Sequence, residues 1–304
     1  MEFSHISVLF NETIDSLAIK PDGLYVDCTC GGAGHSRAIL ERLNVGRLIA
    51  IDRDPDAIEV ITERVGKNSN VKIVNDNFSN IKKILGEEKA DGILADLGVS
   101  SFQLDNPERG FSFHKDAPLD MRMSKSGKSA FDVVNGYSEK ELFTVISRYG
   151  EERFAGNIAK NIVRSREKKA VETTLELAEI VKNSVPAKYR RDSHPARKTF
   201  QAIRIEVNDE LSTLSEAVSD MFDCLRPGGR LSIITFHSLE DRTVKEKFRE
   251  FASGCTCPKD FPVCVCGKTP RGRLINRGIS AAQSELDSNN RSRSARLRTI
   301  EKIK

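Results

Sequence analysis

The sequence predicts an α/β fold with a mostly parallel sheet, interrupted by an all-helical insertion. In the first part of the chain, short β-branched runs that end in aspartate alternate with amphipathic stretches, which is typical of parallel strands joined by helical crossovers. After Leu104 helical periodicity dominates, and the alternation returns with a strongly β-branched run near residue 230. We therefore expect an α/β domain in two segments, 1–104 and 199–304, around a helical domain at 105–198.

The individual elements follow from local patterns. In the first segment the predicted strands are 24–29, 47–52, 71–75 and 92–97, and the predicted helices are 36–43, 55–65 and 79–85. The insertion is predicted to contain helices 138–149, 151–166 and 173–185, with capping boxes at Ser138/Glu141 and Thr173/Glu176. A long helix at 208–224, a strand at 230–236, a helix at 239–251 and a strand at 295–300 complete the pattern.

Charge is unevenly distributed along the chain, although the net charge is only +4. Lys160–Lys198 holds 11 Lys and Arg against 5 Asp and Glu, and Lys268–Lys304 holds 10 against 3. Two basic segments on an otherwise acidic chain predict a surface that binds a polyanion, and ordinary solvated helix faces are the alternative.

The sequence lacks an apolar run long enough to span a bilayer, and its first residues lack the basic flank and apolar stretch of a secretory leader. We therefore expect a cytoplasmic protein with no membrane partner. Seven cysteines, four of them within residues 255–266, do not suggest a disulfide framework.

A glycine-rich loop marks a candidate cofactor site. The first predicted strand delivers Asp27, and residues 28–35 (CTCGGAGH) then lead into a helix, while the next strand ends at Asp52, where a carboxylate suits a ribose diol. Nicotinamide-dependent oxidoreductases and S-adenosylmethionine-dependent enzymes both use this arrangement. The loop lacks the G-x-G-x-x-G spacing that cradles a pyrophosphate, and its acidic surroundings favour a cationic sulfonium.

Two further strand ends point to the same edge of the sheet. The third strand is followed by Phe78, which is placed to stack on adenine or to pack in the core, and the fourth ends at Asp96.

Longer strings then carry a family resemblance. They are DLGVSSFQLD at 96–105, RGFSF at 109–113, PLDMRM at 118–123, YGEER at 149–153 and FHSLEDR at 236–242. With the rest of the chain from His5 to Arg293–Arg298, they closely resemble the MraW family of ribosomal small-subunit RNA cytosine-N4 methyltransferases. The resemblance implies a class I S-adenosylmethionine-dependent methyltransferase domain with an inserted helical RNA-recognition domain. It also implies direct methylation of N4 of a decoding-region cytosine in 16S rRNA, within the small ribosomal subunit, and leaves a homodimer open.

By the same resemblance, specific residues are assigned to the cofactor. They are Ala33, Gly34, His35, Asp52, Phe78, Asp96 and Gln103. Local roles are the alternatives for His35, as a helix-start residue, and for Gln103, as a loop-stabilising amide. Asp96 is also the expected catalytic acceptor for the cytosine amine.

The contact with the cytosine amine is less well defined. DNA cytosine-N4 enzymes place a proline-proline-aromatic sequence after the fourth strand, whereas this chain has Leu97-Gly98-Val99. The carbonyls of Leu97 and Gly98, and Asp120, are further candidate acceptors, with Phe102, Phe111 or Phe113 as stacking partners for the base. In the insertion, His194, Arg197 and Lys198 are expected to contact RNA phosphates or to form an exposed basic run.

The cysteines leave two questions. Cys28 and Cys30 raise a C5-cytosine methyltransferase as a rival, because that chemistry needs a thiolate nucleophile, although their place in the cofactor loop argues for inert side chains. A non-catalytic, cofactor-retaining RNA-binding module is a second rival. Cys255, Cys257, Cys264 and Cys266 supply enough thiols for zinc, but the one-residue gaps are shorter than usual, so a reduced surface loop is favoured and no metal is predicted.

Overall fold

A computed structural model describes residues 7–190, 194–255, 257–258, 261–263 and 265–304, leaving aside the side chain of Ser101. The chain divides into two compact units. The α/β unit comprises residues up to Gly98 together with Leu211–Lys304, and the helical unit comprises Val99–Glu210.

The elements of the described residues are as follows. The strands are β1 Leu24–Asp27, β2 Arg47–Asp52, β3 Val71–Asn75, β4 Ala90–Asp96, β5 Leu225–Thr235, β6 Gly272–Leu274 and β7 Arg296–Lys302. The helices are α1 Phe10–Leu17, α2 Gly34–Leu40, α3 Pro55–Val65, α4 Ile81–Leu85, α5 Ser101–Asp105, α6 Ala130–Gly136, α7 Glu139–Gly150, α8 Ala155–Arg166, α9 Thr174–Ser184, α10 Ala196–Asn208, α11 Leu214–Asp223, α12 Ser238–Ala252 and α13 Gln283–Ser288.

The sheet of the α/β unit has the strand order β3-β2-β1-β4-β5-β7-β6. Strands β1 to β5 pair in parallel, whereas β7 is antiparallel to both β5 and β6. The chain runs outward from β1 through β2 and β3 and then returns to β4 on the other side of β1. This reversal confirms the predicted α/β fold with a mostly parallel sheet, which is Rossmann-like, and leaves a crevice at the carboxyl end of β1, where such folds bind ligands.

Helices cover both faces of this sheet because its strands are apolar on both sides. Ile93 and Leu94 are adjacent on β4 and fully buried, yet they belong to different clusters. Ile93 packs in the cluster that holds Phe248 of α12, and Leu94 packs in the one that holds Ile39 of α2. The alternation of side chains along a strand therefore builds the two halves of the core.

The helical unit has its own core, formed by inward faces of α6 to α10. Fully buried Leu142, Ile158, Leu177 and Ile203 come from four of these helices. The capping boxes predicted for α7 and α9 are confirmed, since Ser138 and Thr173 each accept a hydrogen bond from the backbone N–H of the glutamate three residues later.

The unit boundaries differ from the predicted 104/105 and 198/199. Helix α10 runs unbroken across 198/199 and buries Phe200 and Ile203 in the helical core. The single helix predicted at 208–224 is wrong, because Asp209 adopts a left-handed conformation (φ 50°) that ends α10, and α11 begins only at Leu214. At the other boundary, α5 belongs to the helical unit.

None of the helices formed by the described residues is both long enough and apolar enough to cross a membrane.

Candidate functional site

Three aspartates lie at the carboxyl ends of neighbouring strands in the α/β unit. Asp27, the last residue of β1, is in register with Ala50 on β2 and with Leu94 on β4. Asp52 and Asp96 therefore lie two residues beyond Asp27 on either side. The shorter central strand leaves a notch between them, into which residues 28–34 turn.

Hydrogen bonds to both flanking strands hold this glycine-rich loop. The backbone N–H of Cys28 donates to the carbonyl of Leu94 at 2.8 Å, and that of Cys30 donates to Ile51 at 3.0 Å. Gly31 has φ 42°, a left-handed conformation that glycine adopts at low cost. The loop is therefore a fixed part of the crevice.

Asp27 anchors the loop from below. It is 1% exposed, and its carboxylate accepts hydrogen bonds from the Ser36 hydroxyl at 2.6 Å and from the backbone N–H of Thr29 at 3.2 Å. Burial raises the pKa of Asp27 to about 6, against the lowering effect of these two donors. Asp27 thus ties β1 to α2.

Asp52 connects β2 to the loop. One carboxylate oxygen accepts the backbone N–H of Gly31 at 2.9 Å, and the other accepts that of Asp54 at 2.9 Å. Burial raises the pKa of Asp52 to about 6. Each carboxylate oxygen has a second lone pair, so the group can accept further hydrogen bonds, as a ribose diol requires.

The three loop residues predicted to contact cofactor lie at the start of α2. Ala33 is fully buried with φ 63°, and at Gly34 a Cβ atom would lie 2.0 Å from the Ser7 hydroxyl, so a side chain there would require that hydroxyl to move. His35 is 6% exposed and stacks on Phe10 with ring centroids 5.9 Å apart. Its Nδ1 lies 3.9 Å from a carboxylate oxygen of Asp96, so the structure brings His35 and Asp96 together.

Asp96 has an unusual environment. Its backbone N–H donates to the Thr29 hydroxyl at 2.6 Å, and its side chain is 24% exposed. Among the described residues, its buried Oδ1 atom has no hydrogen-bond partner. Burial, followed by the negative charges of Asp27 and Glu240, raises the pKa of Asp96 well above its usual range.

Sequence reasoning missed Glu240 as a neighbour of this site. It is 2% exposed at the start of α12, where its carboxylate accepts the backbone N–H of Phe236 at 2.9 Å. His237 and Glu240 form a capping box. The usual sequence signal of a capping box is a serine or threonine three residues before a glutamate. Because a histidine stands in that place here, the sequence does not show the signal.

Phe78 and Gln103 have structural contacts of their own. Phe78 follows β3 in a short 3-10 turn and packs, half-buried, against the core. Gln103 is 4% exposed in the helical unit, where its side-chain oxygen accepts the backbone N–H of Ser100 and caps α5. Their contacts with a cofactor stay predictions.

The predicted RNA-contacting residues lie together on the helical unit. His194, Arg197 and Lys198 are exposed. His194 stacks on Phe113 with centroids 4.6 Å apart, and the Lys198 ammonium donates to the carbonyl of Glu151 at 2.9 Å. Arg197 lies in the first turn of α10.

Two further residues predicted to contact the cytosine have partners within the helical unit. The Arg122 guanidinium binds both carboxylate oxygens of Asp120, the shortest contact being 2.6 Å. Phe111 is buried and has the Arg109 guanidinium 5.9 Å from its ring centre. Phe111 lies in the string at 109–113 and Asp120 in the string at 118–123. Both residues therefore have structural roles within the helical unit.

The cysteines of the cofactor loop are buried and unsuited to nucleophilic attack. Cys28 is 2% exposed and Cys30 is 4% exposed. Burial raises the pKa of both thiols, and neighbouring aspartates raise it further. Because the thiolate is the nucleophile, this environment disfavours the C5-cytosine rival.

Comparison with known proteins gives one family for the whole chain. A family model described as the MraW methylase family matches residues 2–303. The "Ribosomal RNA small subunit methyltransferase H" proteins of Clostridium botulinum strains Kyoto (Type A2) and Loch Maree (Type A3) are each 55% identical over 309 residues, covering 100% of both chains. A crystal structure of an rRNA methylase from Streptococcus thermophilus is similar with 13% identity and a TM-score of 0.45, covering 99% of this chain and 100% of that one. The family model and the full-length relatives confirm the resemblance: this chain belongs to the MraW methylase family.

Proposed function

We propose that the protein transfers the methyl group of S-adenosylmethionine to the exocyclic N4 of a cytosine in the decoding region of 16S rRNA. The observation that carries this proposal is the Asp96 carboxyl group, which presents a buried oxygen without a hydrogen-bond partner among the described residues, at the end of β4 and beside the glycine-rich loop. The names of the relatives support the small-subunit RNA as substrate.

The residues of the crevice fit the proposed methyl donor. When bound, S-adenosylmethionine supplies an electrophilic methyl group on a positively charged sulfur. Asp52 has lone pairs left for two ribose hydroxyls, and the carboxyl groups of Asp27, Asp52 and Asp96 surround the notch. Such an acidic crevice repels a pyrophosphate and suits a cation, which supports the sulfonium donor over a nicotinamide dinucleotide.

Asp96 then acts on the acceptor amine. The lone pair of cytosine N4 is delocalised into the ring, so the amine is a weak nucleophile until an acceptor binds its protons. A carboxylate within hydrogen-bond distance favours the pyramidal nitrogen of the transition state, and it takes the proton that the methylated nitrogen must lose. The raised pKa favours the protonated form of Asp96 in the unliganded protein, and a positively charged sulfur bound beside Asp96 would favour the carboxylate that accepts this proton.

The helical unit is proposed to hold the RNA. Arg197, which is exposed and follows His194 by three residues, offers a cation for a phosphate, and the His194–Phe113 stack offers an aromatic surface for a base. The target base must leave its stack to reach the donor. The substrate is proposed to be the small subunit or its precursor, which places the enzyme in the cytoplasm.

The test is to identify the methylated nucleoside. Small ribosomal subunits isolated from a strain lacking this activity are incubated with the enzyme and methyl-labelled donor, and the digested RNA is separated by chromatography and mass spectrometry. Label in N4-methylcytidine supports the proposal. Label in 5-methylcytidine would overturn N4 specificity, and RNA without label would favour the non-catalytic binding module.

A further inference from the structure

Three cysteine thiols converge outside the methyltransfer site. Cys255, Cys257 and Cys266 follow α12, and their sulfur atoms all lie within 4.8 Å of one another. The sulfurs of Cys255 and Cys266, which are 11 residues apart, are separated by 3.8 Å. A chain segment has to fold back on itself to bring these sulfurs together.

The sulfur spacing matches a metal site and not a disulfide. Bonded sulfurs in a disulfide are about 2.05 Å apart. In a tetrahedral zinc site with zinc–sulfur bonds of about 2.3 Å, each edge of the sulfur tetrahedron is about 3.8 Å. The separation of Cys255 and Cys266 has this value.

The backbone around the thiols also suits thiolate ligands. The N–H of Cys257 donates to the sulfur of Cys255 at 3.4 Å, which stabilises negative charge on that sulfur and brings the second cysteine of the pair round to the same centre. Gly267 then turns the chain with φ 62° directly after Cys266. In an extended chain, two cysteines separated by one residue have difficulty reaching the same metal ion. These turns remove that difficulty.

The segment between α12 and β6 has little regular structure or packing to order it, and a bound metal would stabilise it. Between α12 and β6 the described residues form neither helix nor strand. Phe261, Val263 and Val265 are 52%, 69% and 73% exposed, so these apolar side chains do not form a core for the segment. At its base, the backbone N–H of Arg271 donates to the carbonyl of Phe251 at 2.9 Å. A metal bound within the loop would supply the order that packing does not.

We infer that Cys255, Cys257 and Cys266 bind a structural zinc ion. Clustered thiolates select zinc over hard cations such as magnesium, and zinc brings no redox chemistry. The sequence offers Cys264, which lies outside the described residues, as a fourth thiol with the same one-residue spacing. This assignment replaces the reduced surface loop favoured by the sequence and is independent of the proposed methyl transfer.

The test measures metal in the full-length protein purified without chelators. Elemental analysis should find about one zinc ion per chain. Cys255→Ser combined with Cys266→Ser should abolish the signal, while Cys224→Ser, at a buried cysteine of the core, should leave it unchanged.

A second measurement does not depend on the variants folding. The wild-type protein is stripped with a chelator and titrated with cobalt, which should give the thiolate charge-transfer absorption and intense visible bands of a tetrahedral site, saturating at about one ion per chain. Zinc well below stoichiometry in the purified wild type, zinc retained by the double variant, or a Cys255–Cys266 disulfide in the freshly purified protein would each overturn the assignment.

Discussion

Asp52 accepts the backbone N–H of Gly31 at 2.9 Å, which links the end of β2 to the glycine-rich loop that follows β1. A single carboxylate therefore shapes the loop while keeping lone pairs for a ligand. Asp96 occupies the corresponding position on the other side of β1. The proposed donor and acceptor sites thus lie on two sides of one short strand.

Donor affinity should depend on the ionisation of Asp52. Its pKa is raised to about 6 by burial, so the carboxylate acceptor is present above pH 6 and is lost as the pH falls below it. At pH 5 affinity for S-adenosylhomocysteine should be about tenfold weaker than at pH 7.5. Calorimetry over this range tests the prediction, and Asp52→Asn should flatten most of the dependence. An equally steep fall in that variant would assign it to another group, such as Asp27.

Asp96→Asn should lower the activity of the enzyme and raise its stability. The folded protein holds a proton on Asp96 at pH values where the unfolded carboxyl, with a pKa near 3.9, has lost it. The contribution of Asp96 to the stability of the wild type therefore falls as the pH rises above about 4, whereas asparagine does not titrate. The variant should melt above wild type at pH 7.5, with a smaller gain at pH 4.5, and its kcat should fall about a hundredfold or more.

The control for this variant is Asp287→Asn, at an exposed carboxylate of α13. It should change neither the melting temperature nor kcat. An Asp96→Asn enzyme with wild-type kcat would remove Asp96 from the proposed chemistry.

Serine should replace the loop cysteines without loss of the reaction. Cys28 and Cys30 are buried with raised thiol pKa values, and methyl transfer to an amine needs no covalent enzyme intermediate. Cys28→Ser and Cys30→Ser should each keep kcat within about threefold of wild type, with some loss of stability from placing a hydroxyl in the core. Loss of all methyl transfer in a folded variant would revive the C5 mechanism.

The basic start of α10 should contribute to RNA affinity alone. Arg197→Gln is expected to weaken binding to small ribosomal subunits and to reduce the salt dependence of binding by about one phosphate contact. Donor affinity should be unchanged. Lys72→Gln, at an exposed lysine on β3, provides a charge-matched control. If the two variants bind the subunit equally well, the phosphate contact at Arg197 is wrong.

The sequence predicts much of the α/β unit because local and tertiary signals agree there. Strands β2 and β3 and helix α3 have the predicted bounds, since β-branched runs end at polar residues and Pro55 fixes the start of a helix. The helix predicted at 208–224 was wrong because a left-handed Asp209 carries no strong sequence signal of its own.

The sequence predicted the location of the site better than its chemistry. The glycine-rich loop and the aspartates at the strand ends were visible as a pattern, and the structure brings Asp27, Asp52 and Asp96 to the same edge. The Asp96 oxygen that has no hydrogen-bond partner among the described residues, and the nearby Glu240 charge, depend on packing between elements far apart in the chain. The sulfur–sulfur spacing in the cysteine segment likewise depends on how the loop folds back.

Binding of S-adenosylhomocysteine to wild type and to Asp52→Asn, measured by calorimetry at pH 7.5, tests the cofactor site most directly. The substitution keeps the shape of the side chain but replaces a charged acceptor, so affinity should fall at least tenfold, while Glu59→Gln on the exposed face of α3 should bind as wild type does. A folded Asp52→Asn protein with wild-type affinity would contradict a donor site at the carboxyl ends of β1 and β2.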